Sequence, residues 1–181
     1  MKLLWTTLAV MIVGSAAVRA QPPGGISAPD WKEFEFLIGD FVAAGGGVPG
    51  AATGSTSLHP IMNGTVLERT NRAEYPAADG RPAFVHEDRM YIYREPQANA
   101  LRGLYFDPEG HVILYRITPD PSSRKIQMVS DPIPGQPRYR FTYSGSGADE
   151  FDTVFEIAPP DHPEEFKAYV GGKAKRVTKP R

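Results

Sequence analysis

Short stretches of alternating polar and apolar residues, separated by turn residues, run through most of the chain. β-Branched and aromatic residues are frequent inside the stretches, and Gly, Pro, Asn and Asp are frequent between them. This pattern is typical of antiparallel strands joined by hairpins. Ten strands are predicted, at residues 40–46, 53–60, 64–75, 82–94, 101–107, 111–118, 125–130, 138–144, 151–158 and 165–171.

One short helical turn is expected before the first strand. Trp31, Phe34 and Leu37 recur at every third position and would share one face of a helix. Asp30 is a candidate N-cap, with Glu33 three residues later as its capping-box partner. An apolar turn in this position is suited to plug one end of a barrel.

Two turn signals are sharper than the rest. Asn63-Gly64 suits a type I′ turn, in which both residues take positive φ. The segment 107–110, Asp-Pro-Glu-Gly, suits a four-residue turn in which Pro presets the bend and Gly closes it. Short, evenly spaced strands with such turns predict an all-β fold, a single antiparallel up-and-down β-barrel of about ten strands.

The first twenty residues have the composition of a secretory signal peptide. Lys2 precedes an apolar run at residues 3–13, and Val18 and Ala20 lie three before and one before the predicted cleavage. The run is too short to span a membrane. We therefore expect a periplasmic or secreted protein whose mature form has no membrane span, the alternative being an anchor that is not cleaved. The rest divides into a flexible lead-in at 21–29, a barrel domain at 30–172 and a basic tail at 173–181.

Composition excludes several classes of function. Loss of Lys2 and Arg19 takes the formal net charge from -1 to -3, a mild value that argues against nucleic-acid binding. The chain has no cysteine, which excludes thiol nucleophiles, Cys-ligated zinc and iron–sulfur clusters. Neither Gly-x-Ser-x-Gly nor a phosphate-binding loop is present. Three glycines at 45–47 favour a bulge or a close strand approach instead.

Residues 36–41, Phe-Leu-Ile-Gly-Asp-Phe, run into a glycine-rich strand. The segment resembles the opening Leu-x-Gly-x-Trp signature of the calycin-like barrels, and among them of the nitrobindin-like or heme-binding-like bacterial families, with Phe41 in place of Trp. Residues 105–111 and 155–160 add secondary support. The resemblance implies about ten antiparallel strands around a pocket for a small apolar ligand. It also implies a heme-binding His near the last strand. Residues 165–171 hold none and the nearest is His162, so we expect no heme and no other cofactor.

The third and fourth strands are the most polar of the ten. Alternation places Arg69 on one face of the third strand and puts His86 and Asp88 together on one face of the fourth. A carboxylate beside an imidazole fixes its tautomer and raises its pKa, which is useful in acid–base chemistry. Charges on both faces of these strands predict a polar barrel interior with paired charges. The alternative is salt bridges on the outer surface, such as Glu87 or Arg89 with Arg72 or Glu74.

Three arginines are candidates to face the interior and bind a ligand carboxylate, and the sequence does not choose among them. Tyrosine hydroxyls and a histidine near the rim are further candidates. The ligand-binding candidates are Arg69, His86, Asp88, Tyr105, His111, Tyr115, Arg116 and Arg140.

No metal site is expected from the sequence. His59, His86 and His111 with a carboxylate are the available ligands, but there is no close His-x-His or Glu-x-x-His spacing.

The leading hypothesis is an exported barrel that binds a small apolar or amphipathic molecule in its interior. One alternative is a cofactor-free enzyme, such as an isomerase, cyclase or hydrolase, that uses polar groups in the cavity. The other is a structural envelope protein without a ligand. The sequence leaves the ligand and the oligomeric state open.

Overall fold

Ten antiparallel strands form a closed barrel. The structure is a computed structural model and describes residues 28–44, 53–77, 80 and 82–178. Each strand pairs with the next one in the chain, and the first also pairs with the last. The predicted all-β up-and-down barrel is therefore confirmed. The strands are β1 Gly39–Ala43, β2 Thr53–Ile61, β3 Val66–Tyr75, β4 Phe84–Glu95, β5 Ala100–Phe106, β6 Val112–Asp120, β7 Lys125–Ser130, β8 Arg138–Gly145, β9 Glu150–Ala158 and β10 Lys167–Arg176.

The largest difference from the predicted strands is at the end of the chain. The predicted strand stops at Gly171, but β10 continues to Arg176 and pairs with β9 and β1 on its two sides. Residues 173–176 therefore belong to the barrel and not to a basic tail. The glycines falsely predicted the end of the strand. A Cβ on Gly171 would lie 3.1 Å from the Thr153 carbonyl oxygen, so Gly171 instead lets β10 approach β9 closely.

Three predictions lie outside the described residues: the signal peptide at 1–20, most of the lead-in at 21–29, and the role of the glycines at 45–47.

The two predicted turns both form, one with a longer loop than expected. Asn63 and Gly64 have φ values of 56° and 81°, as predicted. Because Ile61 pairs with Val66, however, the loop has four residues and is not a two-residue type I′ turn. In the segment 107–110, the Gly110 N–H donates to the Asp107 carbonyl at 3.2 Å, as a four-residue turn requires.

The expected helical turn is a 3₁₀ helix at Lys32–Leu37, here called the plug helix. A 3₁₀ helix has three residues per turn, so side chains at every third position stack on one face. Phe34 is 0% exposed, Leu37 4% and Trp31 8%, which places this face in the barrel core. The Trp31 indole N–H donates to the Gly64 carbonyl at 2.7 Å and ties the plug helix to the β2–β3 loop. No helix within the described ranges combines the length and apolar character needed to cross a membrane.

The predicted capping box does not form. Asp30 accepts a hydrogen bond from the Lys32 N–H at 3.1 Å, but the N-cap position is Trp31, without a side-chain cap. Glu33 instead accepts a hydrogen bond from Arg94 on β4 at 2.9 Å. The salt bridge to the barrel wall therefore holds Glu33 away from the helix start.

Gly39 is required where β1 and β10 close the barrel. Its φ is 131°, and a Cβ there would lie 2.4 Å from the Arg176 guanidinium. Arg176 also donates to the Ile38 carbonyl and lies 4.6 Å over the Phe41 ring. The sequence Gly-Asp-Phe at 39–41 thus leaves room for the Arg176 side chain where β1 pairs with β10.

The barrel core lies at the end that the plug helix closes, here called the plug end. The opposite end, where β4, β6, β8 and β10 begin, is here called the open end. The side chains packed at the plug end are apolar and less than 9% exposed. They include Phe34, Leu37, Phe41, Leu58, Leu67, Ile92, Leu101, Ile117, Ile126, Met128 and Phe151.

Truncation of the plug tests how much the barrel depends on it. Replacing Phe34 by Ala should lower the free energy of unfolding by about 3–5 kcal/mol, because a fully buried ring is lost. Phe106→Ala is the matched control, since Phe106 is 37% exposed on the outer face, and should cost less than about 1 kcal/mol. Urea unfolding measures both. If Phe34→Ala lowered the free energy of unfolding no more than Phe106→Ala does, the plug helix would be dispensable for stability.

Candidate functional site

The polar residues of β3 and β4 converge inside the barrel. Directly paired residues share a face of a sheet. Arg69 pairs with the buried Met90, and Asn71 pairs with Asp88, so both pairs face inward. His86 follows in the same phase. The predicted polar interior is therefore present.

The outer salt bridges that were the alternative also form. Arg72 pairs with Glu74 at 2.9 Å and with Glu87, and Arg89 pairs with Glu68 at 2.8 Å. The charges on the inner face of these strands thus form the polar interior, and those on the outer face form surface salt bridges.

A buried ion pair lies near the middle of the barrel. Arg69 is 7% exposed and Asp88 6%, and the Arg69 Nη1 donates to Asp88. Asn71 donates to the other Asp88 oxygen at 2.9 Å. Burial would lower the pKa of Arg69, but Tyr143 and Asp88 outweigh burial and the pKa is raised. The Arg69 guanidinium is thus charged, and it lies directly against the Asp88 carboxyl group. These three residues are called the polar floor below.

A cavity of about 20 Å³ lies between the polar floor and the plug helix. Leu37, Phe41, Arg69 and Tyr143 are among the residues that line it. Its volume holds about one water-sized molecule. A larger ligand therefore does not fit between the polar floor and the plug helix.

His86 joins the polar floor to the β5–β6 hairpin. Its Nε2 lies 3.4 Å from an Asp88 oxygen, and its Nδ1 lies 3.1 Å from Glu109 Oε1. The Tyr105 hydroxyl lies 3.5 Å from the same Nε2 and donates to Asp107 at 3.3 Å. The predicted pairing of His86 with Asp88 is therefore present, within a larger polar network.

Aromatic side chains line the inner wall between the polar floor and the open end. Tyr75 and Phe84 stack with ring centroids 4.4 Å apart, and Tyr139 and Phe155 stack at 5.8 Å. Phe84 is 49% exposed, in contrast to the buried rings at the plug end. We call the following set the aromatic wall: Tyr75, Phe84, Tyr105, Tyr115, Tyr139, Phe141, Phe155 and, at the rim, Tyr169.

Burial keeps several of the phenols protonated. It raises the pKa of Tyr105, Tyr115 and Tyr143, and to a smaller extent that of Tyr75, because the phenolate would lose its hydration. These hydroxyls can therefore donate hydrogen bonds to a ligand at neutral pH.

Two of the three candidate arginines lie outside the barrel, which corrects the sequence analysis. Arg116 is paired with Asp131 at 3.0 Å and its side chain is 66% exposed. Arg140 donates to Glu156 and stacks 4.4 Å from the Phe166 ring. Both alternate with inward aromatic residues on their strands, so strand geometry excludes them from the interior. Of the three, Arg69 alone faces inward.

The four histidines are distributed over both ends. His111 lies at the rim, where its Nδ1 is 2.7 Å from Asp107 Oδ2. His59 lies near the plug end, paired with Asp40 at 2.8 Å. His162 is in the β9–β10 loop, 3.3 Å from Glu165. His59 is therefore not available to His86 and His111 as a third metal ligand.

The sequence analysis omitted several inner-wall residues from the site. Residues 138–143 alternate Arg-Tyr-Arg-Phe-Thr-Tyr, a clear period-two signal that places Tyr139 and Phe141 opposite Arg140. Asn71 shares the phase of Arg69. Asp107 was assigned only to a turn, and no spacing signal connects it to His86.

No protein-family model and no curated protein sequence matches this chain. The closed ten-strand antiparallel barrel is compatible with a calycin-like fold. The closer resemblance to nitrobindin-like barrels stays a prediction.

A double-mutant cycle tests the polar floor. Arg69→Met leaves Asp88 buried without its charge partner and should lower the free energy of unfolding by about 3–5 kcal/mol. Adding Asp88→Leu should restore at least about 1 kcal/mol, since the unpaired charge is then gone.

Arg116→Met is the matched control, because Asp131 keeps its bond to Arg102. It should change the unfolding free energy by less than about 1 kcal/mol. Additive losses in the double variant, measured by urea unfolding, would contradict a coupled buried pair.

Proposed function

We propose that this protein is exported and binds a small amphipathic molecule in the open half of its barrel. The observation that carries the proposal is the partial exposure of inward-facing aromatic rings above a polar floor. Phe84 is 49% exposed and Val170, which pairs with the inward Phe155, is 41% exposed. Apolar side chains that face a barrel interior and yet stay exposed favour a ligand or partner that covers them.

The aromatic wall would provide most of the binding free energy. Apolar area removed from water contributes roughly 25 cal/mol per Å², and stacked pairs such as Tyr139 with Phe155 favour a flat or aromatic ligand surface. The depth of the cavity is limited by the polar floor, so the ligand lies between that floor and the rim.

The polar floor would orient the ligand by hydrogen bonds. Arg69 is already paired with Asp88, and this leaves the floor without a net charge to attract a ligand carboxylate. Asn71, His86 and the protonated phenols offer donors and acceptors instead. We therefore infer a ligand with an uncharged polar group, such as a hydroxyl or carbonyl, at its inner end.

Two further features belong to the proposal. The signal-peptide composition of residues 1–20 supports a periplasmic or secreted location. The relation to nitrobindin-like barrels is supported by the opening signature and by the strand number. Heme is not the proposed ligand, because β10 contains no histidine.

A cofactor-free enzyme is a second candidate, and one observation favours it. The His86 Nε2 lies 3.4 Å from an Asp88 oxygen and 3.5 Å from the Tyr105 hydroxyl. These three side chains would meet at the bottom of the proposed ligand cavity. An imidazole held by a carboxylate is suited to move a proton on a bound substrate, as an isomerase or cyclase requires.

Native mass spectrometry and dye binding test the carrier proposal. Protein purified from an exporting host should carry a small co-purified mass, and the emptied protein should bind the neutral apolar dye N-phenylnaphthylamine. Phe155→Ala should weaken dye binding at least about tenfold, because a ring contact worth about 1.5–3 kcal/mol is lost. The outer-face variant Phe106→Ala should bind as wild type does. An always-empty protein that also ignores the dye would contradict the proposal.

The enzyme candidate is tested on the same co-purified compound. Wild-type protein should convert it to a product of different mass or retention, whereas His86→Gln should bind it without conversion. If wild type returns the compound unchanged, this candidate is rejected and the carrier function remains.

A further inference from the structure

Three metal-binding side chains meet at the rim of the open end, and a fourth lies beside one of them. One ligand atom each from Asp107, Glu109 and His111, all on the β5–β6 hairpin, lie within 4.8 Å of one another. His86 on β4 brings a fourth, with Nδ1 3.1 Å from Glu109 Oε1. The three hairpin residues, together with His86 beside Glu109, are here called the rim cluster.

The carboxylates of the rim cluster pair with histidines, whereas several other carboxylates of the barrel pair with arginines. Asp88, Asp131 and Glu156 each pair with an arginine. Within the part of the chain that the structure describes, the ion pairs of Asp107 and Glu109 are with histidines. The Asp107 side chain is only 6% exposed.

His86 is oriented as metal-binding histidines are. Its Nε2 faces the buried Asp88 carboxylate at 3.4 Å, while its Nδ1 faces Glu109. A carboxylate behind the ring fixes the tautomer and increases the basicity of the other nitrogen, an arrangement that accompanies most metal-binding histidines. Asp88 is itself held by Arg69 and Asn71, so this support is rigid.

The hairpin is fixed in the same way from the other side. Asp107 Oδ1 accepts the His111 backbone N–H at 2.9 Å, and Oδ2 accepts the Tyr105 hydroxyl at 3.3 Å. The Gly110 N–H donates to the Asp107 carbonyl at 3.2 Å and closes the turn. The donors are therefore prepositioned by backbone and side-chain bonds that do not require an ion.

We propose that His86, Asp107, Glu109 and His111 bind one divalent transition-metal ion of the zinc type at the rim. Two nitrogen and two oxygen donors fit the four-coordinate preference of Zn²⁺. Ca²⁺ and Mg²⁺ prefer oxygen donors alone and more of them. The metal site would share His86 with the proposed ligand site, but none of its donors depends on a bound ligand.

Metal titration of the whole protein tests the proposal. Protein stripped with a chelator is titrated with Zn²⁺ by calorimetry and with Co²⁺ by visible absorption, which reports the ligand field. We expect one ion per chain, bound at least about tenfold more tightly for Zn²⁺ than for Ca²⁺. Binding of several ions, or equal binding of Ca²⁺, would overturn the proposal.

Variants assign the binding to the rim cluster. His111→Gln and Glu109→Gln should each weaken Zn²⁺ binding at least about tenfold and change the Co²⁺ spectrum. His59→Gln is the matched control, because His59 also pairs with an aspartate but lies near the plug end. Equal Zn²⁺ affinity in all three variants and wild type would overturn the assignment.

Two further measurements keep the outcomes separate. The His111 and Glu109 side chains are 56% and 49% exposed, so both variants should unfold at the wild-type urea midpoint. If one of these variants unfolds at a lower urea concentration, the other variant alone tests the assignment. Dye binding by His111→Gln should equal that of wild type. Loss of Zn²⁺ binding with the dye retained supports a separate site, and a wild type that binds the dye but not Zn²⁺ overturns this inference alone.

Discussion

A closed barrel of ten strands encloses more space than its own strand side chains can fill. Eight-stranded barrels are about the size that inward side chains pack completely, and the interior widens with each added strand. Here the plug helix supplies the missing volume at one end, where Phe34 and Leu37 are almost fully buried. The described structure has no equivalent element over the open end. The half-filled interior is therefore a consequence of strand number and of a single 3₁₀ helix.

The Arg69–Asp88 pair lies at the boundary between these halves, and its position is physically reasonable. Deeper in the plug end, two charges would lose their hydration among apolar side chains with little compensation. At the boundary they gain Asn71 and His86 as hydrogen-bonding neighbours. The pair then lies between the apolar core at the plug end and the aromatic wall on its other side. In the proposed function, the pair and the wall would form the polar and apolar parts of one ligand site.

Much of this fold could be predicted from local patterns. Period-two alternation and turn residues locate the ten strands because each signal depends on adjacent residues. The same alternation puts His86 and Asp88 on one face of β4, but it does not say which face is inward, and it does not choose among Arg69, Arg116 and Arg140. On β8 it was equally clear, yet Arg140 was kept as an inward candidate although it alternates with Tyr139 and Phe141. The prediction for Arg140 was wrong because it rested on the aromatic residues beside it in the sequence and not on the face of the strand that it occupies.

Contacts between distant positions could not be predicted, because strand register decides them. His86 and Glu109 are 23 positions apart, and Arg69 and Asp88 are 19 apart. Neither spacing is a motif. His86 lies near the start of β4, three positions before Arg89, which pairs with Phe106 at the end of β5, so the hairpin that follows β5 lies beside His86. Metal motifs in sequences usually come from ligands on one helix or one short loop, where spacing is fixed locally. In a barrel, the pairing of strands brings ligands together, and a donor set of this kind is visible only once the register is known.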